Sequence, residues 1–347
     1  MTIDCVDLFC GAGGLTHGLL RSGINVTAGI DLDESCRYAF EYNNGPAKFY
    51  AADVAALDGE MLSAMYPRKG RRLLAGCAPC QPFSTYSLGK ASDEDVRWSL
   101  LAEFGRLIGQ LQPELVTMEN VPAVQKHRVF AAFVRRLRQL DYCTHFQVVD
   151  CADYGIPQRR RRLVLLASRL GEIRLRPPSP RKDRKRTVRA AIGKLERLRA
   201  GQVSTRDPLH RASSVTAVNL RRLRASRPSG SWRDWDPGLV ADCHRSETGE
   251  SFPGVYGRMP WDAPAPTITT QFYGFGNGRF GHPKQDRALS LREGALLQTF
   301  PRGYRFTDPK SPIQFTSVGL MVGNAVPVRL ARVIGESIVN HVDAMSG

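Results

Sequence analysis

Acidic residues are in short supply. The 347-residue chain carries 33 Asp or Glu against 49 Lys or Arg, a formal charge of +16. A balance so one-sided suits a polyanionic partner, nucleic acid above all. Cysteine is sparse as well. Eight in 347 residues are too few for a disulfide scaffold, and the expected state is reduced thiols. No run of 18 apolar residues occurs, the length a helix needs to span a bilayer. The N-terminus lacks a basic stretch followed by a long apolar one, so a secretory signal is not expected. These absences give a cytoplasmic chain without a membrane partner as the expectation. Apolar residues at 42% and charged residues at 24% are globular proportions, which exclude wholesale disorder.

The charge is concentrated. From Arg169 to Val240 there are 19 Lys or Arg against 6 Asp or Glu, a net +13 of the total +16. The same segment is rich in Pro, Ser and Gly, which break long periodic elements. Before it, short apolar runs (IDCVDLF, VTAGIDL, RRLLAGC, ELVTMEN, HFQVVD, RRLVLLAS) alternate with stretches of helical periodicity such as ESCRYAFEYN and LLAEFGRLIGQL. That alternation predicts an α/β domain with a mostly parallel sheet and helices on both faces. The C-terminal PVRLARVIGESIVNHV reads as an amphipathic helix, with Pro327 suited to its first turn.

The first apolar run ends in Phe9-Cys10-Gly11-Ala12-Gly13-Gly14. Gly11, Gly13 and Gly14 permit a tight turn and close backbone approach to a ligand. Asp31, at the end of the next run, stands 20 residues beyond Gly11, the spacing of a ribose-binding carboxylate. Asp53 is a third strand-end acid and could meet an adenine amine. The turn is not G-x-G-x-x-G, so a nicotinamide or flavin dinucleotide is not favoured. Further strand ends carry Cys77-Ala78-Pro79-Cys80, then Glu119-Asn120, then Gln158 followed by four arginines. The C-x-x-C pair lacks the second pair that zinc requires, and no metal is expected. A redox pair is an alternative. Arg160 and Arg162, two apart at a strand entry, would share one face. Clustered at successive strand ends, the cysteines, Glu119 and these arginines read as one site.

The residues resemble the DNA (cytosine-5)-methyltransferase family. The resemblance rests on DLFCGAGGLTHG at 7–18, GCAPCQPFS at 76–84, ENV at 119–121, YGIPQRRRR at 154–162, RALSLREGALLQTFP at 287–301 and VGNAVP at 322–327. These blocks stand in the family's order and span nearly the whole chain. The resemblance implies a Rossmann-like class I methyltransferase sheet with a second, smaller basic target-recognition domain. The expected division is 1–172 for catalysis and cofactor, 173–311 for recognition, and 312–347 returning to the catalytic domain. It implies S-adenosylmethionine as cofactor, with Phe9 near the adenine, Asp31 on the ribose, Asp53 on the adenine amine and Asn324 near the pocket. Cys80 would be the nucleophile, Glu119 would bind the cytosine edge, and Arg160 and Arg162 would fill the two arginine positions, Arg162 touching the base.

Gln81, Ser84 and the segment to Arg97 would close on double-stranded DNA, and Thr267 would lie near the target cytosine's place. Arg233, between Trp232 and Trp235, and Arg258 and Arg279 are candidate base or phosphate contacts. The two tryptophans read either as a local hydrophobic staple or as a groove-facing surface. The implied reaction is methyl transfer to carbon 5 of a flipped-out cytosine through a cysteine–C6 adduct. A tRNA substrate and a catalytically silent DNA-binding member are the alternatives. The implied setting is a monomer in a restriction-modification system, with a cognate nuclease acting on the same site without a stable complex.

Overall fold

The computed structural model describes residues 2–78, 94–245 and 253–346, with the backbone only of 94–99 and 346. Contacts divide the chain into two units. One comprises Met1–Tyr154, Arg161–Lys182 and Val326–Gly347, the other Gly155–Arg160 and Asp183–Ala325.

The first unit is built on a sheet that, among the described residues, has seven strands: β1 (Ile3–Leu8), β2 (Asn25–Asp31), β3 (Lys48–Ala51), β4 (Arg71–Gly76), β5 (Leu115–Asn120), β6 (Cys143–Asp150) and β7 (Arg161–Ser168). Their order is β3-β2-β1-β4-β5-β7-β6. The first five pair in parallel, and β7 runs antiparallel between β5 and β6. The apolar runs of the sequence are thus the strands. β1 and β5 are buried along their whole length, as interior strands covered on both faces must be.

Helices α1 (Gly14–Leu20), α2 (Arg37–Asn43), α3 (Gly59–Ser63), α4 (Glu94–Leu111) and α5 (Arg128–Gln139) follow β1 to β5 in turn. On α5, Phe130, Phe133, Val134 and Leu137 are buried, spaced by three and four residues on one face. With Phe104, Leu107 and Ile108 of α4 they cover Val6, Leu74, Val116 and Met118 of the sheet. Burying such side chains stabilises by about 1.5–3 kcal/mol each.

The second unit has little regular structure: α6 (Val188–Ile192), α7 (Ala217–Ala225), α8 (Leu291–Leu297), α9 (Phe315–Asn324) and short 3-10 turns. Its organising contacts are ionic as well as apolar. Fully buried Arg287 places both terminal nitrogens on Glu293, each at 2.7 Å. Leu223, Trp232, Trp235, Phe275 and Ala288 form an apolar cluster.

The first unit closes with α10 (Val328–Ser346), which packs on α1 where Gly18 admits it: a Cβ there would collide with Ala331 and the Val328 carbonyl. The stretch Phe315–Met345 is, contrary to the simple count of apolar runs, long and apolar enough to cross a membrane by composition, but 72% of its most apolar window is buried within the protein.

The unit boundaries differ from the expected 173 and 312, for identifiable reasons. Residues up to Lys182 stay with the first unit because Arg176 pairs with Glu336 at 2.9 Å, its backbone N–H donates to Ser337 Oγ, and Arg329 donates to the Lys182 carbonyl. The segment through Ala325 stays with the second because Gln298 Nε2 donates to the Val322 carbonyl at 2.8 Å and Arg211 to the Ile313 carbonyl.

Candidate active site

Strand order reverses between β1 and β4. At such a switch point the chain leaves neighbouring strand ends in opposite directions and opens a crevice for ligands. Three residues after β1 have positive φ: Phe9 at 57°, Gly11 at 49° and Gly13 at 83°. Left-handed backbone is costly for Phe9, so its presence here marks a constrained turn. The Asp31 carboxylate braces it: Gly11 N–H donates to Oδ2 at 2.8 Å, and Asp33 N–H donates to Oδ1 at 2.9 Å. A Cβ at Gly11 would meet nothing within 4 Å, so the turn presents bare backbone to open space. Phe9 is half-buried against the sheet core. Gly14 begins α1. Asp53 is exposed after β3 and accepts a hydrogen bond from Ala55 N–H at 2.9 Å. The fold therefore brings Phe9, Gly11, Gly13, Gly14 and Asp31 together on one edge. Asn324 is the exposed last residue of α9, in the other unit.

The next strand ends hold the reactive groups. Cys77 follows β4, its N–H donating to the Leu8 carbonyl at 3.4 Å. Burial, and then the Glu119 and Asp7 carboxylates, push its thiol well above the ordinary range. A thiol so held is a poor nucleophile. Glu119 lies one residue from the end of β5, and Arg162 is the second residue of β7. The antiparallel register opposes Glu119 to Val164, so Arg162 stands two residues further along, on the same face. Arg162 Nε meets Glu119 Oε1 at 2.9 Å, with the two side chains only 13% and 8% exposed. Asn120 Nδ2 donates to the Ala78 carbonyl, tying this strand end to the chain that leads on to Cys80. Cys80, Gln81 and Ser84 lie outside the described residues, as does the Arg97 side chain.

The two expected arginines part company. β7 begins at Arg161, so Arg160 precedes the strand and the alternation that would align it with Arg162 does not apply. It belongs to the second unit and is buried, donating to the carbonyls of Ile268 at 2.8 Å, Gly323 at 3.0 Å and Ala325 at 3.4 Å. Its neighbour Gln158 is tied likewise, to Gln298 Oε1 and to Ile268 N–H, each at 2.8 Å. These side chains organise the second unit.

The candidate DNA contacts also divide. Arg258 is buried, donating to the carbonyls of Leu223, Ser226, His282 and Gln285 and pairing with Asp286; it supports the unit and is not free for DNA. Trp232 and Trp235 are buried in the apolar cluster. They are the staple, and their groove-facing reading is overturned. Arg233 is exposed, its guanidinium 5.4 Å from the Trp232 ring centre. Arg279 is half-buried and donates to the Gly230 carbonyl. Thr267 is exposed, its hydroxyl donating to the Arg159 carbonyl at 3.0 Å. Arg181, Lys182, Arg184, Lys185 and Arg186 all face solvent.

One polar residue of this edge, the first of the DLFCGAGGLTHG block, has no role assigned to it from the sequence. Asp7 lies inside β1, fully buried. Its signal is that it is one of two carboxylates, with Asp4, in the apolar run IDCVDLF.

The family model described as C-5 cytosine-specific DNA methylase matches residues 3–340. The chain is 50% identical over 343 residues to the Type II methylase M.HgiDII of Herpetosiphon aurantiacus, covering 98% of this chain and 96% of that one. It is 28% identical over 344 residues to the Type II methyltransferase M1.HphI of Haemophilus parahaemolyticus, covering 98% and 87%. Among solved structures, the Entamoeba histolytica methyltransferase EhMeth superposes with a TM-score of 0.65 at 16% identity, over 99% of both chains. The Dnmt2 methyltransferase of S. pombe superposes with a TM-score of 0.61 at 17% identity, again over 99% of both. At such identities these two structures speak for the fold.

Proposed function

The chain belongs to the C-5 cytosine-specific DNA methylase family, and on that premise we propose how its residues perform the reaction. It is a DNA cytosine-5 methyltransferase: it transfers a methyl group to carbon 5 of cytosine in DNA. Its relatives M.HgiDII and M1.HphI carry Type II names, which supports a place in a restriction-modification system. There its methylation would protect a duplex sequence from a cognate nuclease, with which it forms no stable complex. We place it as a monomer in the cytoplasm, beside the DNA it modifies.

The methyl donor is S-adenosylmethionine, which supplies an electrophilic sulfonium methyl. The residues present fit it. The glycine turn offers uncovered backbone, and each Asp31 oxygen keeps a lone pair beyond its bond to Gly11 or Asp33 N–H for ribose hydroxyls. By the family resemblance, Phe9 would lie near the adenine, Asp53 would accept from its amine, and Asn324 would be a further cofactor residue.

Carbon 5 of cytosine is a weak nucleophile, and its ring atoms are covered within a duplex. The base must therefore leave the stack. The Cys80 thiolate adds to C6, which breaks aromaticity and places electron density on C5. The Glu119 carboxyl binds the exocyclic amine and shares a proton with N3, stabilising the charge that develops on the ring. Arg162 orients Glu119 and contacts the base. After methylation, loss of the C5 proton expels Cys80. Gln81, Ser84 and Arg97 close on the DNA, while Thr267, Arg233 and Arg279 face it from the recognition unit. The observation that carries this reading is the Arg162–Glu119 pair at 2.9 Å, beside the chain that leads to Cys80.

The test is transfer of labelled methyl to duplex DNA and to tRNA in parallel, followed by bisulfite sequencing of the DNA. Label at cytosine carbon 5 of one duplex sequence is expected. Label in tRNA alone overturns the DNA reading.

A further inference from the structure

Asp7 has no part in the mechanism above, yet it sits at the centre of the cofactor edge. Its side chain is 0% exposed. Oδ2 accepts a hydrogen bond from the Thr16 hydroxyl at 2.6 Å. Oδ1 is buried and, among the described residues, has no hydrogen-bond partner. A buried carboxylate oxygen left in this state is costly and calls for an explanation. Thr16 is the third residue of α1, and Asp7 is the penultimate residue of β1. Their bond therefore spans the strained turn that holds Phe9, Gly11 and Gly13. Asp31 braces that turn from outside through Gly11 N–H; the Asp7–Thr16 bond ties its two ends from inside.

We propose that Asp7 and Thr16 are a positioning pair for the methyl-donor site, setting the turn in its binding geometry, and that the tie is strongest when Asp7 is ionised. The proposal rests on the cofactor reading given above. An ionised acceptor makes a hydrogen bond roughly twice as strong as a neutral one. The surroundings of Asp7 put its ionisation near neutrality. Burial pushes the carboxyl up, the Thr16 hydroxyl pulls it down and the Asp31 charge pushes it up again, to about 7. Among the described residues, the other titratable groups facing it are Cys5 on β1, Cys10 in the turn and Cys77 after β4. All three thiols are themselves pushed well above their ordinary range, burial being the first cause. They stay neutral while Asp7 titrates. From α1 the neutral Thr16 hydroxyl meets it. The protein thus ties donor affinity to the charge on one buried carboxylate.

The experiment is calorimetric binding of S-adenosylhomocysteine to the full chain between pH 6 and 8.5, for the parent, Thr16→Val, Thr16→Ser and Asp7→Asn. Thr16→Val removes the hydroxyl at nearly constant volume. It should weaken binding by about tenfold, the share of one hydrogen bond to a charged group. Thr16→Ser should restore affinity to within about twofold of the parent, as the returned hydroxyl re-forms that bond. In turnover, KM for the donor should rise in Thr16→Val with kcat at saturation little changed. Parent affinity should tighten as pH rises through about 7. Asp7→Asn should lose that inflection, and its profile isolates Asp7 from the ligand's own amine. Thermal melting checks that each variant is folded. Parent-like binding by Thr16→Val, equal weakness of Thr16→Val and Thr16→Ser, or an unchanged pH profile in Asp7→Asn would each overturn the proposal. No binding by the parent at any pH would overturn the cofactor reading itself.

Discussion

Arg162 on β7 reaches Glu119 on β5, Nε to Oε1 at 2.9 Å. Strand register, not sequence proximity, makes this contact, because the antiparallel pairing places the two side chains on one face. Glu119→Gln keeps the shape and removes the acid. The expected outcome is a fall in single-turnover methyl transfer of about 10²–10⁴-fold, the usual worth of a positioned acid–base group. Donor binding should stay within a factor of about two, since Glu119 makes no part of the glycine turn. Parent-like transfer would remove Glu119 from the chemistry.

Cys77 and Cys80 are assigned different parts, packing and attack. The Cys77 side chain is half-buried, and desolvation with the Glu119 and Asp7 charges holds its thiol neutral, which suits packing and not attack. Duplex DNA with 5-fluorocytosine in the target site should trap the protein covalently, because the fluorine on C5 cannot leave as a proton. Mass spectrometry should place the adduct on Cys80. Cys80→Ala should abolish trapping while Cys77→Ala retains it. An adduct on Cys77 would refute the assignment.

The run Arg181–Arg186 faces water through five basic side chains. If it holds phosphates, neutralising it should weaken binding to cognate and scrambled duplexes alike. The slope of log affinity against log salt should also fall by roughly 0.9 for each phosphate that the variant no longer neutralises. Fluorescence binding over a salt series measures both quantities. A variant that binds like the parent at every salt shows a solvated face, and phosphate binding then falls to groups such as Arg233.

Stability of the second unit should depend on the Arg287–Glu293 pair. Burial pushes the Glu293 carboxyl up, and the adjacent Arg287 charge and its hydrogen bonds more than offset this, leaving it down at about 2. The pair's contribution is therefore full above the ordinary carboxylate range and is lost as pH falls toward about 2. Glu293→Gln leaves a buried guanidinium uncompensated and should destabilise by about 3–5 kcal/mol in urea unfolding at pH 7. Nearby His282 is held down at about 4, chiefly by burial. A base depressed in this way stabilises above its ordinary value and loses that contribution as pH falls from about 6.5 to about 4. His282→Gln should flatten that part of the pH–stability curve relative to the parent. Identical curves would show that His282 is not a source of it.

Sequence alone determined the alternation of strand and helix, because a strand covered on both faces must be apolar throughout and a covering helix must repeat near 3.6 residues. It determined the glycine turn, Asp31 at its ribose spacing, and Glu119 and Cys77 at strand ends. Those are local patterns, legible wherever backbone conformation dictates residue type. Tertiary structure decided which charged side chains are buried and which exposed. Arg160, Arg162, Arg233 and Arg258 are chemically identical in the sequence. Packing turned Arg160 and Arg258 inward onto carbonyl oxygens, placed Arg162 against Glu119 and left Arg233 in water. It buried Trp232 and Trp235 where composition allowed a surface, and it made Asp7 a buried partner of Thr16. A guanidinium or carboxylate takes its role from the partners that replace its water, and those partners lie as many as 165 residues away along the chain, where no local pattern can register them.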